Sequence, residues 1–202
     1  GKEVQLIFND TPFYAEKGGQ IGDTGVILDV NGEVVGQVTN TLAAPAGQNL
    51  HTVLTKGSLK VNEIYTLQVQ VSRRPFIQRN HTATHLLHQA LKDTVGVHVN
   101  QAGSLVAPDH LRFDFTSLEP VTKEQINEIE RIVNEKIWAA LPVKTTVTSI
   151  DEARKMGAIA LFGEKYGETV RVVSIADYSM ELCGGTHVRN TADIGLFKIV
   201  SE

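Results

Sequence analysis

Two pairs of potential metal ligands, far apart in the chain, constrain the fold more than any other feature. His81 and His85 lie in residues 80–91, which have the periodicity of a helix, so both imidazoles are expected on one face, one turn apart. The second pair is His187 and Cys183, the only cysteine in the chain. Because imidazole nitrogen and thiolate sulfur are ligands that suit zinc, we predict that the four side chains meet at one metal ion.

Each half of this pattern also has a simpler interpretation. A His-x-x-x-His pair among ordinary helix-forming residues occurs by chance, and both histidines can be partly buried structural residues. The sequence Cys-Gly-Gly-Thr-His at 183–187 is more particular, because its glycines leave room beside the thiol and the imidazole. His88 falls on the same helix face but too far along the axis to share a tetrahedral site, so we interpret it as a supporting or structural residue.

Two known classes of zinc enzyme do not fit the residues between the helical ligands. Zinc metalloproteases of the His-Glu-x-x-His type use the glutamate as general base, and Thr82 occupies that position here. Zinc base deaminases use His-x-Glu and a second cysteine, whereas this chain has Ala83 and no second cysteine. A closed four-ligand zinc site is normally structural, so a catalytic role requires a loose ligand or an expanded coordination shell.

The composition is that of an ordinary globular protein and limits the possible partners. The chain has 202 residues, of which 42% are hydrophobic and 21% charged, enough for one large domain or two small ones. No apolar run is long enough to cross a bilayer; we expect no secretory leader and, with a lone cysteine, a cytoplasmic location. The formal net charge of -4 implies that a nucleic acid is held by a local basic patch or by parts of the protein outside this chain.

The first part of the chain, residues 1–72, is predicted to form a small β-barrel, with a sandwich as the alternative. Asn31-Gly32 predicts a hairpin turn, and the Ala/Pro/Gly-rich stretch at 41–49 indicates an exposed loop. Short β-branched runs indicate strands at residues 4–8, 25–30, 33–38 and 67–71.

Residues 11–25 hold a glycine-rich segment that is unusual for a simple turn. Glycine allows a backbone to approach a ligand closely and to adopt positive φ, and here the glycines are mixed with Gln20, Asp23 and Thr24. The alternative is a bulged loop between strands. The missing Gly-Lys-Ser/Thr ending excludes a phosphate-binding P-loop.

Residues 73–202 are predicted to form an α+β domain with helices packed on a mainly antiparallel sheet. Asn80 is expected to cap the first helix, and Thr122 with Gln125 to form a capping box on a long second helix. Ser149 is expected to cap a short third helix. Strands are predicted at residues 97–99, 103–106, 111–115, 143–148, 170–175 and 195–200.

Several motifs together carry a resemblance to a known family. They are Thr-Pro-Phe-Tyr-Ala-Glu at 11–16, Asn-His-Thr-Ala-Thr-His-Leu-Leu at 80–87, Gln-Ala-Gly-Ser at 101–104, Leu-Arg-Phe-Asp-Phe at 111–115, Leu-Phe-Gly-Glu-Lys-Tyr at 161–166 and Glu-Leu-Cys-Gly-Gly-Thr-His at 181–187. In identity, order and spacing they closely resemble the editing domain of alanyl-tRNA synthetase, from the first residues of the chain to the last. Free-standing alanyl-tRNA editing proteins share much of the pattern, and threonyl-tRNA synthetase editing domains share its metal-binding core.

The resemblance implies a zinc-dependent hydrolase that removes serine, and also glycine, from wrongly charged tRNA(Ala). His81, His85, Cys183 and His187 match the family's ligands of one Zn2+ ion without departure. Gln101 resembles the family glutamine beside the site. The glycine-rich loop resembles the loop that lines the editing pocket, which implies substrate contacts from Gly18, Gly19, Gln20, Asp23 and Thr24, the last toward the serine hydroxyl.

By the same resemblance, the chain is a segment of a larger synthetase. The family's aminoacylation domain, which uses ATP and Mg2+, its tRNA-recognition helices and its C-terminal domain are expected outside this sequence. The expected partners are tRNA(Ala) carrying serine or glycine at its 3′ end and the remaining domains of the synthetase. Neither DNA nor a membrane is an expected partner.

Two mechanisms are open for the hydrolysis. Zinc either lowers the pKa of its bound water toward about 7, so that the zinc-bound water attacks the ester, or holds the substrate α-amino group while water is activated elsewhere. In both cases the backbone N–H groups of Gly184 and Gly185 are candidates to stabilise the oxyanion. The rival classes are a non-catalytic, zinc-stapled tRNA-binding module and an esterase for small molecules.

Overall fold

The computed structural model describes residues 1–160 and 166–202. It divides into two compact units, Gly1–Phe76 and Ile77–Glu202, so the division lies slightly after the boundary predicted at residue 72. The predicted motif at 161–166 lies outside the described residues except for its last member, Tyr166. Within the described ranges, no helix has the length and apolar character needed to cross a membrane.

The first unit is built around one antiparallel sheet of five strands. Its spatial order is β1-β4-β3-β2-β5, so every strand of the sheet comes from this unit. The strands are β1 (Glu3–Ile7), β2 (Gly25–Leu28), β3 (Val34–Ala43), β4 (Asn49–Thr55) and β5 (Thr66–Val69). The buried core on this sheet comprises Phe13, Ile27, Val35, Val38 and Val53.

This sheet is open, so the closed barrel predicted for the first unit is not confirmed. In Gly1–Phe76, all of which the structure describes, β1 pairs only with β4 and β5 only with β2. Closure into a barrel requires the two edge strands to pair with each other, and no such ladder is present in this unit.

In the first unit, the local prediction based on turn residues agrees with the structure better than those based on composition or strand alternation. The predicted hairpin is confirmed, because Gly32 adopts a φ of 82° between the paired strands β2 and β3. The predicted loop at 41–49 is shorter than expected, since β3 continues to Ala43 and β4 starts at Asn49. Strand β4 was not predicted, because its alternation is interrupted by the buried polar residue His51.

The second unit combines helices with antiparallel sheets, which confirms the predicted α+β class. One sheet has the order β10-β9-β8 and the other pairs β6 with β7. Helix α1 crosses the division between the units. The elements are α1 (Arg74–Thr94), β6 (Gln101–Val106), β7 (Leu111–Phe115), α2 (Lys123–Trp138), β8 (Val143–Ser149), α3 (Ile150–Lys155), β9 (Thr169–Ile175), β10 (Ser179–Leu182) and a 3-10 helix (Thr191–Ile194).

Helix α1 begins earlier than the sequence pattern indicated, so the prediction that Asn80 caps it is wrong. The helix starts at Arg74 and contains Pro75 in its first turn, where a missing N–H is tolerated. Asn80 lies inside the helix, and its side-chain amide donates to the carbonyl of Ala107 at 2.7 Å. The N-terminus of the helix therefore does not coincide with the start of the ligand motif.

Helix α2 follows its sequence signals closely. Thr122 caps it, and the reciprocal bonds with Gln125 form the predicted capping box. Its apolar face is buried through Ile129, Val133 and Ile137. These side chains join one core with residues from α1 and elsewhere, which also contains Ala83, Leu86, Leu87, Ala90, Leu91, Val99, Ile175 and Phe197.

Two predicted strands of the second unit are wrong. Residues 97–99 form a turn, in which the N–H of Val99 donates to the carbonyl of Gly96 at 3.1 Å. Residues 195–200 form no strand but run beside α2, where the side chain of Asn134 bonds both backbone groups of Phe197. A side-chain amide thus takes the place that a neighbouring strand would have filled.

Candidate metal centre

Helix α1 supplies the first half of the cluster. His81 and His85 are one turn apart on the same buried face, with exposed fractions of 6% and 5%. Their rings are stacked, with centroids 5.5 Å apart and planes inclined by 13°. Local helix geometry alone therefore brings these two imidazoles together, as the sequence predicted.

The segment that follows β10 supplies the second half. The N–H of Cys183 donates to the carbonyl of Arg171 on β9 at 3.0 Å. The guanidinium of Arg171 donates to the carbonyl of Gly184 at 2.6 Å. Residue Arg171 thus holds the loop through both its backbone and its side chain, just where the loop turns toward α1.

The structure brings all four predicted ligands into one group. One ligand atom from each of His81, His85, Cys183 and His187 lies within 4.8 Å of the other three. The Sγ atom of Cys183 is 3.4 Å from Nε2 of His81 and 3.3 Å from Nε2 of His187. Ordinary Zn–S and Zn–N bond lengths in a tetrahedron require a separation of about 3.6 Å between such atoms.

The donor set also fits zinc chemically. Three imidazoles and one thiolate are ligands that zinc accepts, and they match neither calcium nor magnesium, which prefer oxygen. Nε2 of His85 is buried and has no hydrogen-bond partner in residues 1–160 and 166–202, which is costly unless another group binds it. We conclude that the residues present fit a zinc ion.

Thr82 has a defined role although it lacks the basic group that metalloproteases place at this position. Its hydroxyl donates to the carbonyl of Gln78 at 2.9 Å and accepts the N–H of Val188 at 3.2 Å. Nδ1 of His187 lies 3.3 Å from the same oxygen. Since the single hydroxyl proton is used on Gln78, Nδ1 of His187 is the donor, which leaves its Nε2 toward Cys183.

Glu181 is a buried residue of the site whose contacts were not predicted from the sequence. Its side chain is 5% exposed, and its two oxygens lie 2.7 Å from Nδ1 of His85 and 2.8 Å from Nδ1 of His88. The available signal was strand alternation, because Glu181 and Cys183 are two residues apart on an extended segment and so face the same side.

The charges of these groups are strongly coupled. Burial lowers the pKa of His85, but the Glu181 carboxylate outweighs burial and raises this pKa to about 10. Burial raises the pKa of Glu181, and the His85 charge outweighs it and holds this pKa below its usual range. Uptake of a metal ion by His85 would therefore release a proton.

The two ligands on the loop are biased toward the forms that bind metal. Burial raises the pKa of the Cys183 thiol, but His81 and the hydrogen bonds from His187 and His81 bring it well below its usual value. Burial, together with the charge of His81, lowers the pKa of His187 to about 3. A thiolate and a neutral imidazole are the ligand forms of these side chains.

The cluster is unequally buried. His81 and His85 are buried, whereas Cys183 and His187 are only partly so. Gly184, between them, is exposed, and a side chain added there would meet open space. The cluster is therefore less deeply buried on the side of the loop than on the side of α1.

The other residues of the second unit that were predicted for the site are Gln101, Gly184 and Gly185. Gln101, the first residue of β6, is half-buried, and its amide donates to the hydroxyl of Ser104 at 3.3 Å. The N–H of Gly185 points at Sγ of Cys183, 3.5 Å away. The oxyanion role predicted for Gly184 and Gly185 stays a prediction, and the Gly185 amide is already engaged with sulfur.

The glycine-rich segment belongs to the first unit and forms a tight turn. Lys17 and Gln20 exchange backbone hydrogen bonds of 3.2 and 3.1 Å. Between them, Gly18 and Gly19 have φ values of 60° and 82°, which only glycine adopts easily. This pattern of two positive φ angles is that of a type I′ turn.

The remaining polar residues of this segment hold its shape. Asp23 is buried, and its carboxylate accepts the N–H of Tyr14 at 2.7 Å and pairs with the guanidinium of Arg74. The hydroxyl of Thr24 donates to the side-chain carbonyl of Gln70 at 2.9 Å. The predicted substrate contacts of this segment stay predictions, and Asp23 already has a complete set of internal partners.

Two family models match the chain. The model described as threonyl and alanyl tRNA synthetase second additional domain matches residues 170–202, which include Cys183 and His187. The model described as tRNA synthetases class II (A) matches residues 1–73. The two matches therefore fall in different units of the structure.

Curated relatives match along the whole chain or nearly so. The alanine–tRNA ligase of Lactobacillus johnsonii is 59% identical over 202 residues, which is 100% of this chain and 23% of the relative. The alanine–tRNA ligases of Enterococcus faecalis and Streptococcus pneumoniae are 62% and 60% identical over 199 residues, which is 98% of this chain and 23% of each relative. The chain thus spans under a quarter of the length of these relatives, and along its whole length it is similar to one segment of the alanine–tRNA ligases.

Proposed function

We propose that this chain is the editing segment of an alanyl-tRNA synthetase, and that it hydrolyses the ester linking a wrong amino acid to tRNA(Ala). The wrong amino acids are serine and glycine. The observation that carries the proposal is the three-histidine, one-cysteine cluster, in which Cys183 and His187 are less deeply buried than His81 and His85. A substrate can reach a cluster of that kind, whereas a sealed zinc site only stabilises a fold.

Such an activity would correct errors that arise because binding alone discriminates poorly between similar amino acids. An alanine pocket cannot strongly reject serine, which adds one hydroxyl, or glycine, which lacks one methyl group. These differences are worth roughly 1–3 kcal/mol, so binding alone leaves frequent errors. A second site that hydrolyses the wrong product lowers the error rate further.

In the proposed reaction, water adds to the ester carbonyl and the bond between that carbon and the ribose oxygen breaks. The departing ribose oxygen takes up the proton that the water loses and becomes a hydroxyl, and the products are the free amino acid and uncharged tRNA. His81, His85, Cys183 and His187 would hold a zinc ion, which supplies Lewis-acid polarisation of a group bound to it. Thr82 keeps the His187 ring oriented, through its contact of 3.3 Å with Nδ1.

Recognition of serine requires a hydrogen bond that the serine hydroxyl satisfies and the alanine methyl group cannot. We propose Gln101 as a specificity residue of the second unit, because its half-buried amide carries polar atoms. The same role for Thr24, in the first unit, is proposed on the family resemblance alone. Charging of tRNA(Ala) with alanine, the reaction that the relatives' name implies, would belong to other parts of the full-length protein. Their ATP and Mg2+ sites would lie there too.

The first test replaces Cys183 and follows zinc and activity together. Cys183→Ala removes the single sulfur ligand, so bound zinc and hydrolysis of Ser-tRNA(Ala) are both expected to fall at least tenfold. His110→Gln serves as a control because that histidine is exposed. Zinc is measured by elemental analysis and hydrolysis by release of labelled serine, with Ala-tRNA(Ala) as the correct substrate. Unchanged hydrolysis in a zinc-depleted Cys183→Ala protein would contradict the proposal.

The second test concerns Gln101. Gln101→Ala is expected to leave zinc content unchanged and to alter the ratio of kcat/KM for Ser-tRNA(Ala) and Ala-tRNA(Ala), since it removes a polar side chain without touching a ligand. Equal kinetics on both esters in the variant and in the unaltered chain would remove Gln101 from the pocket.

The main alternative is a non-catalytic tRNA-binding module whose fold is stabilised by the zinc ion, because a complete set of four protein ligands is typical of structural zinc. In that case chelation unfolds the protein, and the zinc-loaded chain shows no deacylation. An esterase for small molecules would instead hydrolyse free amino-acid esters as well as the tRNA ester. Thermal melting with and without chelator, beside assays on both kinds of ester, distinguishes the three classes.

A further inference from the structure

The carboxylate of Glu181 lies behind the cluster and contacts two imidazoles of α1 at once. It is 2.7 Å from Nδ1 of His85 and 2.8 Å from Nδ1 of His88. All three side chains are buried. Since a buried carboxylate is retained only when its oxygens are paired, this arrangement holds Glu181 between the two rings.

The position of the carboxylate determines which nitrogen of His85 is free. An ionised carboxylate only accepts hydrogen bonds, so a ring nitrogen 2.7 Å from it must carry the proton. The contact between Nδ1 and the carboxylate oxygen is close, although it does not have the geometry of a hydrogen bond. With the proton on Nδ1, a neutral His85 presents the lone pair of Nε2, which has no partner of hydrogen-bond geometry among the described residues.

His88 secures the carboxylate from its other side. Nδ1 of His88 makes a hydrogen bond of 2.8 Å to Glu181, and its ring packs against Phe113 with centroids 5.2 Å apart. Nε2 of His88 is buried and makes no hydrogen bond in the part of the chain that the structure describes. The polar contribution of this imidazole is therefore its Nδ1 proton, which Glu181 accepts.

We propose that Glu181 is a positioning residue of the metal centre, which orients His85 for metal binding, and that His88 in turn positions Glu181. This inference rests on the proposed metal site and adds residues that do not themselves bind the ion. Carboxylates that accept the second ring nitrogen of a metal-bound histidine typically raise metal affinity by 10- to 100-fold.

Substitutions at Glu181 test the proposal through metal binding instead of activity. Glu181→Gln replaces one acceptor oxygen by a donor, so one of the two imidazoles loses its partner. We expect zinc affinity, measured by competition with a chromophoric chelator, to fall at least tenfold. In the cobalt-substituted protein, the visible d–d bands should shift, because the His85 contribution to the coordination shell changes.

The matched control is Glu130→Gln on α2. Glu130 also holds two partners, Lys198 at 2.7 Å and the N–H of Ile199 at 2.7 Å. Its loss can weaken the fold of the same unit, yet it should leave zinc affinity and the cobalt spectrum unchanged. A purely structural role for Glu181 predicts that the two glutamine variants behave alike, and that result would overturn the proposal.

A pair of substitutions at His88 covers the case in which Glu181→Gln does not fold. Asparagine places an N–H donor close to the position of Nδ1, so His88→Asn should retain near-normal zinc affinity. His88→Leu keeps the packing on Phe113 but lacks the donor, and should lose several-fold in affinity. Equal zinc affinities and cobalt spectra for these two variants would likewise overturn the proposal.

The outcomes also separate this inference from the proposed function. If the unaltered chain binds no zinc and deacylates nothing, the proposed metal-dependent function fails. If the unaltered chain binds zinc tightly while Glu181→Gln binds it equally tightly with the same cobalt spectrum, only the positioning role fails.

Discussion

His51 is a buried histidine whose environment is expected to make the first unit sensitive to acid. Its ring packs edge-on against Phe8 and Phe13, with centroid distances of 5.1 and 5.3 Å. Nδ1 lies 3.1 Å from the carbonyl of Leu6, and Nε2 lies 2.9 Å from the hydroxyl of Thr11. These contacts suit a neutral ring that donates from Nδ1 and accepts at Nε2.

The pKa of His51 predicts the pH range of this sensitivity. Burial lowers this pKa from 6.5, against a smaller opposing effect of the Leu6 carbonyl. Below about pH 6.5 the unfolded chain therefore binds a proton that the folded chain does not, and stability falls toward the folded pKa by at most about 1.4 kcal/mol per pH unit. Above that pH the effect is absent.

Urea unfolding at pH 7.5 and pH 5.5 measures this effect. The difference between the two pH values is expected to shrink in His51→Gln, because glutamine keeps hydrogen-bonding capacity but does not titrate. An equal loss of stability in both proteins would show that other groups account for the acid sensitivity.

Among the secondary-structure elements, helix α2 has a second function beyond filling the core, because it anchors the segment that follows the 3-10 helix. Asn134 donates to the carbonyl of Phe197 at 2.9 Å and accepts its N–H at 3.0 Å. Glu130, one turn earlier, accepts the N–H of Ile199 at 2.7 Å. Two polar side chains on one helix face thus satisfy a backbone stretch that has no partner strand.

Asn134→Ala should lower the free energy of unfolding by about 2–4 kcal/mol, because both backbone groups of Phe197 lose their partner in a buried position. Asn127→Ala is the matched control on the same helix, since Asn127 is exposed, and should change stability by less than about 0.5 kcal/mol. Chemical denaturation followed by circular dichroism measures both. A loss below 1 kcal/mol in Asn134→Ala would show that water replaces the amide.

Elements with strong local signals were predictable from the sequence, and elements fixed by tertiary contacts were not. The Asn31-Gly32 turn and the Thr122 capping box depend on neighbouring residues only, and both are confirmed. The segment around Phe197 looked like a strand because it is β-branched and apolar, yet a helix side chain decides its conformation. The open edge of the first sheet also depends on long-range pairing that alternation does not encode.

The same distinction applies to the candidate site. The residue types and spacing of His81, His85, Cys183 and His187 predicted their proximity, which the structure shows. Glu181 was not predicted as a site residue, because a lone glutamate in a strand is usually exposed to solvent. Its place at the site is shown only by its contacts with His85 and His88, on a helix distant in sequence. Thr82 was noted for the base it lacks, while its contact with His187 depends on the folded loop.

For the molecule as a whole, the two units have separate cores, and all four candidate ligands lie in the second. Chelation should therefore increase amide hydrogen exchange in the second unit, chiefly in α1 near His81 and in the loop at 183–187. Exchange in β1 to β5 should stay constant, because no ligand contributes to that core. Mass spectrometry of exchanged peptides measures this, and equal increases in both units would contradict it.

The division of the ligands between a helix and a distant loop also sets an order of assembly. The two imidazoles of α1 become neighbours when one helical turn forms, whereas the position of Cys183 depends on the pairing of β10 with β9. During synthesis, His81 and His85 leave the ribosome about a hundred residues before Cys183 does. Under the proposed zinc binding, all four ligands come together only when the second unit has its native topology. A tightly bound ion is therefore expected late in folding, and it would report that this topology has formed.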